Sequence, residues 1–480
     1  LLATSAIVSV AAFSATPAFA NVNDTADGSG SDIENPITTT DATDYFLAGN
    51  GAGDATAVTE NINFTGAFKS IGTGPANNAL KASDPDSDIT LEFENTDGAE
   101  DRQLEVNGNI VEEGGSNTPN LDVVVKGGAN GATNVFVKGD IDLATAGDGT
   151  LTLDSTAEDA KLSFLGTITS NGITLDGSGA GTATLVAANS GAGDEYVYGP
   201  ITAIGPNTRI VKIGSGSIIF NDTIGASGQE IGALDVNSGD ATLTKDTFVS
   251  GDVGLSPAAL TNESGATLTA NGIGNSGAFT NNGTTNLAAN LRTAITTNNG
   301  TLDVSGDLEG STTLNNQSGT TTIGGNITTS GAITNAGTLN VDGDITSFAT
   351  AINNTGTLNA AGNVENKSGI TLGTNGDLVL NGGGDQDVTA AVTVDTYGDG
   401  AIEVNNTGGV TTFSGLIGDN NTTPLKVGSL TVTQGDTILA SDANFSGNVD
   451  VASGQTLTNN SGATLTADTL TGAGEFTNAG

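Results

Sequence analysis

The chain has 480 residues, with 54 Asp and Glu against 12 Lys and Arg, a net charge of −42, and 71 glycines but no Cys, His, Met or Trp. Without imidazole or thiol there is no Ser-His-Asp triad, no Cys nucleophile and no His-ligated zinc, so any catalysis would fall to carboxylates, Lys or Tyr. Twelve scattered cations exclude a phosphate-binding surface, and no nucleic-acid partner is expected.

High charge with modest hydrophobicity is also the signature of disorder, and the aliphatic and Phe content lies just above the level at which disorder is expected. Pattern therefore decides. At the start, residues 1–20 combine an apolar stretch through Ile7, Val8, Val10 and Phe13 with Ala18-Phe-Ala20, the h-region and cleavage site of a secretory signal peptide. The stretch is too short to span a bilayer of ~30 Å and is followed at once by polar Asn21. Residues 21–60 read as a cap or flexible lead-in, and 61–480 as the repetitive body of the chain.

The densest acidic run is Asp84-Pro-Asp86-Ser-Asp88. Alternating carboxylates can converge on calcium, so Asp84, Asp86 and Asp88 are candidate Ca²⁺ ligands. An EF-hand needs Gly at the sixth loop position and Glu at the twelfth. Ile89 and Asn95 stand there, so the competing reading is a solvated acidic loop.

From here a core of the form apolar-x-Gly-Asp/Asn-apolar recurs, at Val106–Ile110, Val137–Ile141, Val249–Val253 and Phe445–Val449, with Phe-led variants at Phe64–Phe68, Phe164–Ile168 and Phe413–Ile417. Its fullest form appears four times: GTLDVSGDL at 300–308, GTTTIGGNI at 319–327, GTLNVDGDI at 337–345 and GTLNAAGNV at 356–364. Periods of about 20 residues, as here, point to a solenoid. In Leu339-x-Val341-x-Gly343-x-Ile345 the apolar positions alternate with polar ones, the period of a strand with one buried face. Gly-Asp, Gly-Asn and Asn-x-Gly supply turns, and the Asn-rich turns suit asparagine ladders and caps. Sustained helical spacing is nowhere found beyond the leader.

A longer copy overlies the unit. Residues 260–270 return at 457–467 with one change in eleven, Phe279-Thr-Asn281 returns as Phe476-Thr-Asn478, and 232–240 resembles 428–436, so a block of about 214–283 is duplicated at 409–480. The predicted fold is all-β, an elongated parallel β-helix of roughly 19-residue coils stacked at ~4.8 Å.

Other motifs carry little. Gly382–Asp387 (GGGDQD) occurs once and reads as a turn rather than a calcium repeat. Thr38–Thr40 and Thr320–Thr322 do not recur in register as runs, which argues against an ice-binding ladder. Among so many acids chance pairs suited to glycoside hydrolysis are expected, but 4 Tyr and no Trp offer few sugar platforms. No catalytic residue is assigned, and no cofactor beyond Ca²⁺.

The leader, the missing cysteine, the Gly/Asn/Thr-rich units and the phrase Gly-x-Leu-x-Val-x-x-Gly-Asp together resemble the passenger region of Gram-negative autotransporters. The units are most similar to those of rickettsial outer-membrane protein B-type surface antigens, as in Phe220–Gly225 (FNDTIG) leading into 232–240. The resemblance implies a right-handed parallel β-helix, exported through the periplasm and held at the outer membrane by a C-terminal barrel that would follow residue 480; Glu475–Gly480 stops inside a unit. No Gly-Asp-Ser-Gly protease signature occurs, which fits the adhesin-like branch, and Asn35-Pro-Ile37 alone makes two-partner secretion the weaker route. The expected function is that of a non-catalytic adhesin or surface-layer protein, binding a receptor on a host or neighbouring cell or associating with itself. The alternatives are a secreted β-helix polysaccharide lyase or hydrolase, and a self-assembling extracellular matrix protein.

Overall fold

The computed structural model describes residues 20–21, 45–47, 58–64, 68–71, 78–82, 89–95, 102–106, 108–112 and 121–479, apart from 129–130, 145–147, 189–192, 347–349 and 420–424. Residues 1–19, the acidic run 84–88 and most of 21–60 lie outside them. The described elements are all β-strands, each paired in parallel with an equivalent strand of a neighbouring coil, and no helix among them is long and apolar enough to cross a membrane. This is the expected parallel β-helix. It falls into two compact units, Leu1–Gly251 and Asp252–Gly480.

In the first unit the recurring motif marks one corner of each coil. Val106 pairs with Val137 and Val137 with Phe164, while Ile110 pairs with Ile141 and Ile141 with Ile168, so successive copies of the motif stack directly. Strands alternate buried and outward side chains, as in Leu151 and Leu153 over Val123 and Val125. Coils here are longer than the repeat period read from the sequence: Val106 to Val137, Val137 to Phe164 and Leu162 to Leu185 are each a single coil. The surplus lies in turns such as 155–159 and 177–182. Each is pinned by an Asp at the preceding strand end, Asp154 accepting from the Thr156 N–H at 3.0 Å and Asp176 from the Ser178 N–H at 3.0 Å.

The second unit realises the short repeat. Leu302 pairs with Thr321, Thr321 with Leu339 and Leu339 with Leu358, so each coil advances by the spacing of the four full motifs. Val304, Ile323, Val341 and Ala360 form one buried column, and Leu308, Ile327, Ile345 and Val364 another. Between them sits the Gly-Asx corner. Asn326 N–H donates to Asp307 Oδ1 at 2.6 Å, Asp344 N–H to Asn326 Oδ1 at 2.8 Å and Asn363 N–H to Asp344 Oδ1 at 2.7 Å, so each acidic or amide side chain caps the corner of the next coil. The preceding glycine is needed because a Cβ on Gly325 would stand 2.2 Å from Asp307 Oδ1, and one on Gly343 2.5 Å from the Gly325 carbonyl oxygen.

A second ladder runs inside the core. Asn262, Asn281, Asn298, Asn316, Asn335 and Asn354 are fully buried, and each Nδ2 donates to the Oδ1 of the next at 2.7–3.0 Å. The same amides also donate to strand carbonyls one coil on, Asn316 to Thr338 O at 2.9 Å for example. In a cysteine-free chain these shared bonds satisfy buried amides that would otherwise be costly.

Single threonines recur where the runs do not: Thr267, Thr284, Thr301, Thr320, Thr338 and Thr357 form one outward column in strict register. The recurring signal is the single Thr at the head of each strand. The neighbouring outward column mixes Thr269, Asn286, Asp303, Thr322, Asn340 and Asn359, so no double threonine lattice is formed.

Candidate binding surface

Solenoids carry function where coils swell into loops, because a short coil leaves room only for strands and corners. In the second unit the coils widen after the short repeats: single coils now run from Val392 to Ile417, from Ile417 to Ala443 and from Ile402 to Leu430. The extra residues form the loops 395–400 and 418–428, of which 420–424 lie outside the described residues.

The two loops hold each other. Gly398 N–H donates to the Lys426 carbonyl at 2.9 Å, and Gly428 N–H to the Asp399 carbonyl at 2.8 Å. Asp399 Oδ2 accepts from Thr374 Oγ1 at 2.9 Å, which ties the first loop to the coil before it. Gly398 takes φ +85°, a conformation that any residue with a Cβ adopts at a cost. Beside it stands Tyr397, 56% exposed and the most exposed of the large apolar side chains among the described residues. Asp395, Asp399, Asp419 and Lys426 lie in the same loops. An exposed phenol on a braced loop, with carboxylates in the same loops, offers apolar area, a hydroxyl and a π face suited to a cationic group.

A polar cleft of about 550 Å³ crosses the stacked turns at Asn406, Gln434 and Gln455. Asp436 is the one carboxylate among its lining residues, and its Oδ1 accepts from the Thr456 N–H at 2.9 Å. The cleft therefore lacks the pair of carboxylates that glycoside hydrolysis requires.

The most perturbed acid lies elsewhere, inside the first unit. Glu195 is 3% exposed, neither carboxyl oxygen has a hydrogen-bond partner, and burial pushes its pKa up to about 8, against the pull of Lys212. Lys212 is 1% exposed, donates to the carbonyls of Ile213 at 2.8 Å and Gly214 at 3.3 Å, and has its pKa lowered by burial. Perturbed acids mark active sites when they face a cleft. This one faces the coil interior, so it bears on stability.

Of the residues singled out from sequence, Asp84, Asp86 and Asp88 lie outside the described residues. Among the described residues no three Asp or Glu side chains gather as a metal site. Sequence reasoning misses Tyr397. Its signal is the widening distance between successive core positions after Val364, which a search for constant spacing passes over. Comparison with protein-family models, curated proteins and solved structures finds no match.

Proposed function

We propose that the chain is the passenger-type segment of an exported surface protein, a non-catalytic β-helix that acts as an adhesin or surface-layer element in the manner of Gram-negative autotransporter passengers. The reading rests on one observation: the short, ladder-braced coils give way to swollen ones whose interlocked loops display Tyr397 to solvent. The aliphatic and asparagine columns supply a rigid support, and the loops supply the contact. The partner is a receptor on a host or neighbouring cell, and the neighbouring carboxylates favour one with a basic face. Export through the leader at 1–20, retention by an outer-membrane barrel and a calcium ion at Asp84, Asp86 and Asp88 belong to the same proposal.

The test is adhesion of the labelled chain to cultured cells. Tyr397→Ala is expected to lower binding at least tenfold with the melting curve unchanged, the usual size of effect for an aromatic hot spot. Unaltered adhesion would remove the loop surface from the proposal, and release of sugars from polysaccharide by the purified chain would replace it with the lyase or hydrolase reading.

A further inference from the structure

Two of the chain's four tyrosines, Tyr196 and Tyr198, stand two residues apart on the strand Asp194–Tyr198 of the first unit. Alternation turns Glu195 and Val197 into the core and both phenols outward, where the rings stack with centroids 5.8 Å apart and planes 14° from parallel. Tyr198 is 41% exposed, and the core of the coil uses neither ring.

The backbone beneath the rings is held from both sides. Tyr198 O accepts from the Ser170 N–H at 3.0 Å in the coil before, and Val197 O from the Asn221 N–H at 3.0 Å in the coil after. The Gly199 N–H donates to Asp222 Oδ2 at 3.0 Å. Gly199 takes φ +117°, and a Cβ there would stand 2.1 Å from Ser170 O, so the strand ends tight against the preceding coil. Rings carried on such a strand lose little freedom when a ligand meets them.

The surroundings select the ligand. Thr169 lies beside Tyr198 and Ile219 beside Tyr196, with Asp142 next to Thr169 and Thr242 next to Ile219 one coil further out. Asp194 heads the tyrosine strand, and the column continues through Ser217 to Asp240. The strands Ile141–Asp142, Ile168–Thr169, Asp194–Tyr198, Ser217–Phe220 and Asp240–Leu243 thus carry three outward carboxylates and no Lys or Arg. Phenol rings offer apolar area with a polar tip, which suits the C–H face and hydroxyls of a pyranose. Carboxylates without cations repel uronate, sialate or sulfate groups and complement an ammonium.

We propose that this face binds a pyranose chain bearing free amines, a glucosamine-type glycan whose sugar rings lie against Tyr196 and Tyr198 and whose ammonium groups face Asp142, Asp194 and Asp240. A basic peptide would meet the same carboxylates, but a Lys or Arg head needs one ring, whereas successive pyranoses present successive apolar faces to two. The site belongs to the first unit and depends neither on the Tyr397 loops nor on the reading of the chain as an adhesin.

The test is calorimetry on the 480-residue chain at about 0.15 M salt, where charges beyond ~8 Å are largely screened, with a glucosamine hexamer, its fully N-acetylated form, a galacturonate hexamer and hexalysine as probes. The glucosamine hexamer is expected to bind, the acetylated form at least tenfold more weakly and the galacturonate not at all. Tyr198→Ala should weaken the glucosamine hexamer at least tenfold, and Tyr198→Phe, which keeps the ring, less than about threefold, both with the melting curve of the parent chain. Hexalysine that binds as tightly and loses as much to Tyr198→Ala would replace the glycan with a basic polypeptide. No binding of the glucosamine hexamer, equal binding of its acetylated form, or binding that Tyr198→Ala leaves unchanged would each overturn the assignment.

Discussion

Asn316 stands in the middle of the buried ladder, and its replacement by Ala has a cost that follows from counting partners. The side chain donates to Asn335 Oδ1 at 2.7 Å and Thr338 O at 2.9 Å, and accepts from Asn298 Nδ2 at 3.0 Å and Thr321 Oγ1 at 3.2 Å. Asn298 Nδ2 keeps Thr320 O at 3.0 Å and Thr321 Oγ1 at 2.9 Å, so it is not stranded. Asn335 Oδ1 loses the amide that serves it inside a fully buried residue. One orphaned buried acceptor costs about 1–3 kcal/mol, and the three other lost bonds add about 1 kcal/mol each, giving roughly 4–6 kcal/mol for Asn316→Ala. Asn262→Ala is the control. Its own Oδ1 has no partner to lose, and Asn281 Oδ1 keeps Thr285 Oγ1 at 2.9 Å, so the Nδ2 bonds to Asn281 Oδ1, Thr284 O and Thr285 Oγ1 are lost and roughly 2–3 kcal/mol is expected. Solenoids unfold as chains of neighbouring units, so the assay is native-state hydrogen exchange of the strands at 313–341 rather than a single midpoint. Exchange there should quicken at least ~100-fold in the Asn316 variant, since each 1.4 kcal/mol is about tenfold. Equal costs at Asn262 and Asn316, or less than a threefold change at Asn316, would refute the ladder as a source of stability.

Three further outcomes are expected. Gly343→Ala should destabilise its coil by about 2 kcal/mol, because the new methyl meets the Gly325 carbonyl oxygen and Asn326 Oδ1 at 2.5 and 2.6 Å, while Gly228→Ala, with open space around it but φ +83°, should cost about 1 kcal/mol; urea titrations of both variants check the order. Glu195 has its pKa raised from 4.5 to about 8, so its share of stability is complete below 4.5 and declines as pH rises through about 8. Glu195→Gln should therefore gain on the parent chain between pH 5 and pH 9, read as the difference between their melting temperatures; a difference independent of pH contradicts this. With 54 acidic against 12 basic residues, added salt or calcium should raise the melting temperature, and a flat response would show that self-repulsion is not limiting.

The fold was legible because its strongest signal is local and repeated. Gly-Asx between two apolar residues recurs in sequence since each Asx caps the next coil's corner and each glycine leaves space for the capping oxygen. The short period was legible for the same reason at 300–364. It misleads in the first unit because added turn residues, as at 177–182, change the spacing without disturbing the strand register. The Asn ladder was visible only as a richness in Asn-x-Gly: nothing in the sequence says which asparagine of Asn298-Asn299 points inward, and burial decides for Asn298. The threonine column is hidden in the sequence because one Thr per coil is no run. Glu195 and Lys212 read as ordinary surface charges, since alternation in Asp194-Glu-Tyr-Val-Tyr198 places the glutamate inward only once Val197 is known to be buried.

The central claim is that single short coils separate Thr320 from Thr338 and Thr338 from Thr357, and the absence of native cysteine makes it open to one direct measurement. Register partners one coil apart lie ~4.8 Å from each other, within reach of a disulfide, whereas partners two coils apart lie about 10 Å away and are not. Under mild oxidation the pair Thr320→Cys with Thr338→Cys should cross-link within the chain, and Thr320→Cys with Thr357→Cys should stay reduced. Cross-linking of the second pair in preference to the first would contradict the coil length, the register and the ladders built on them.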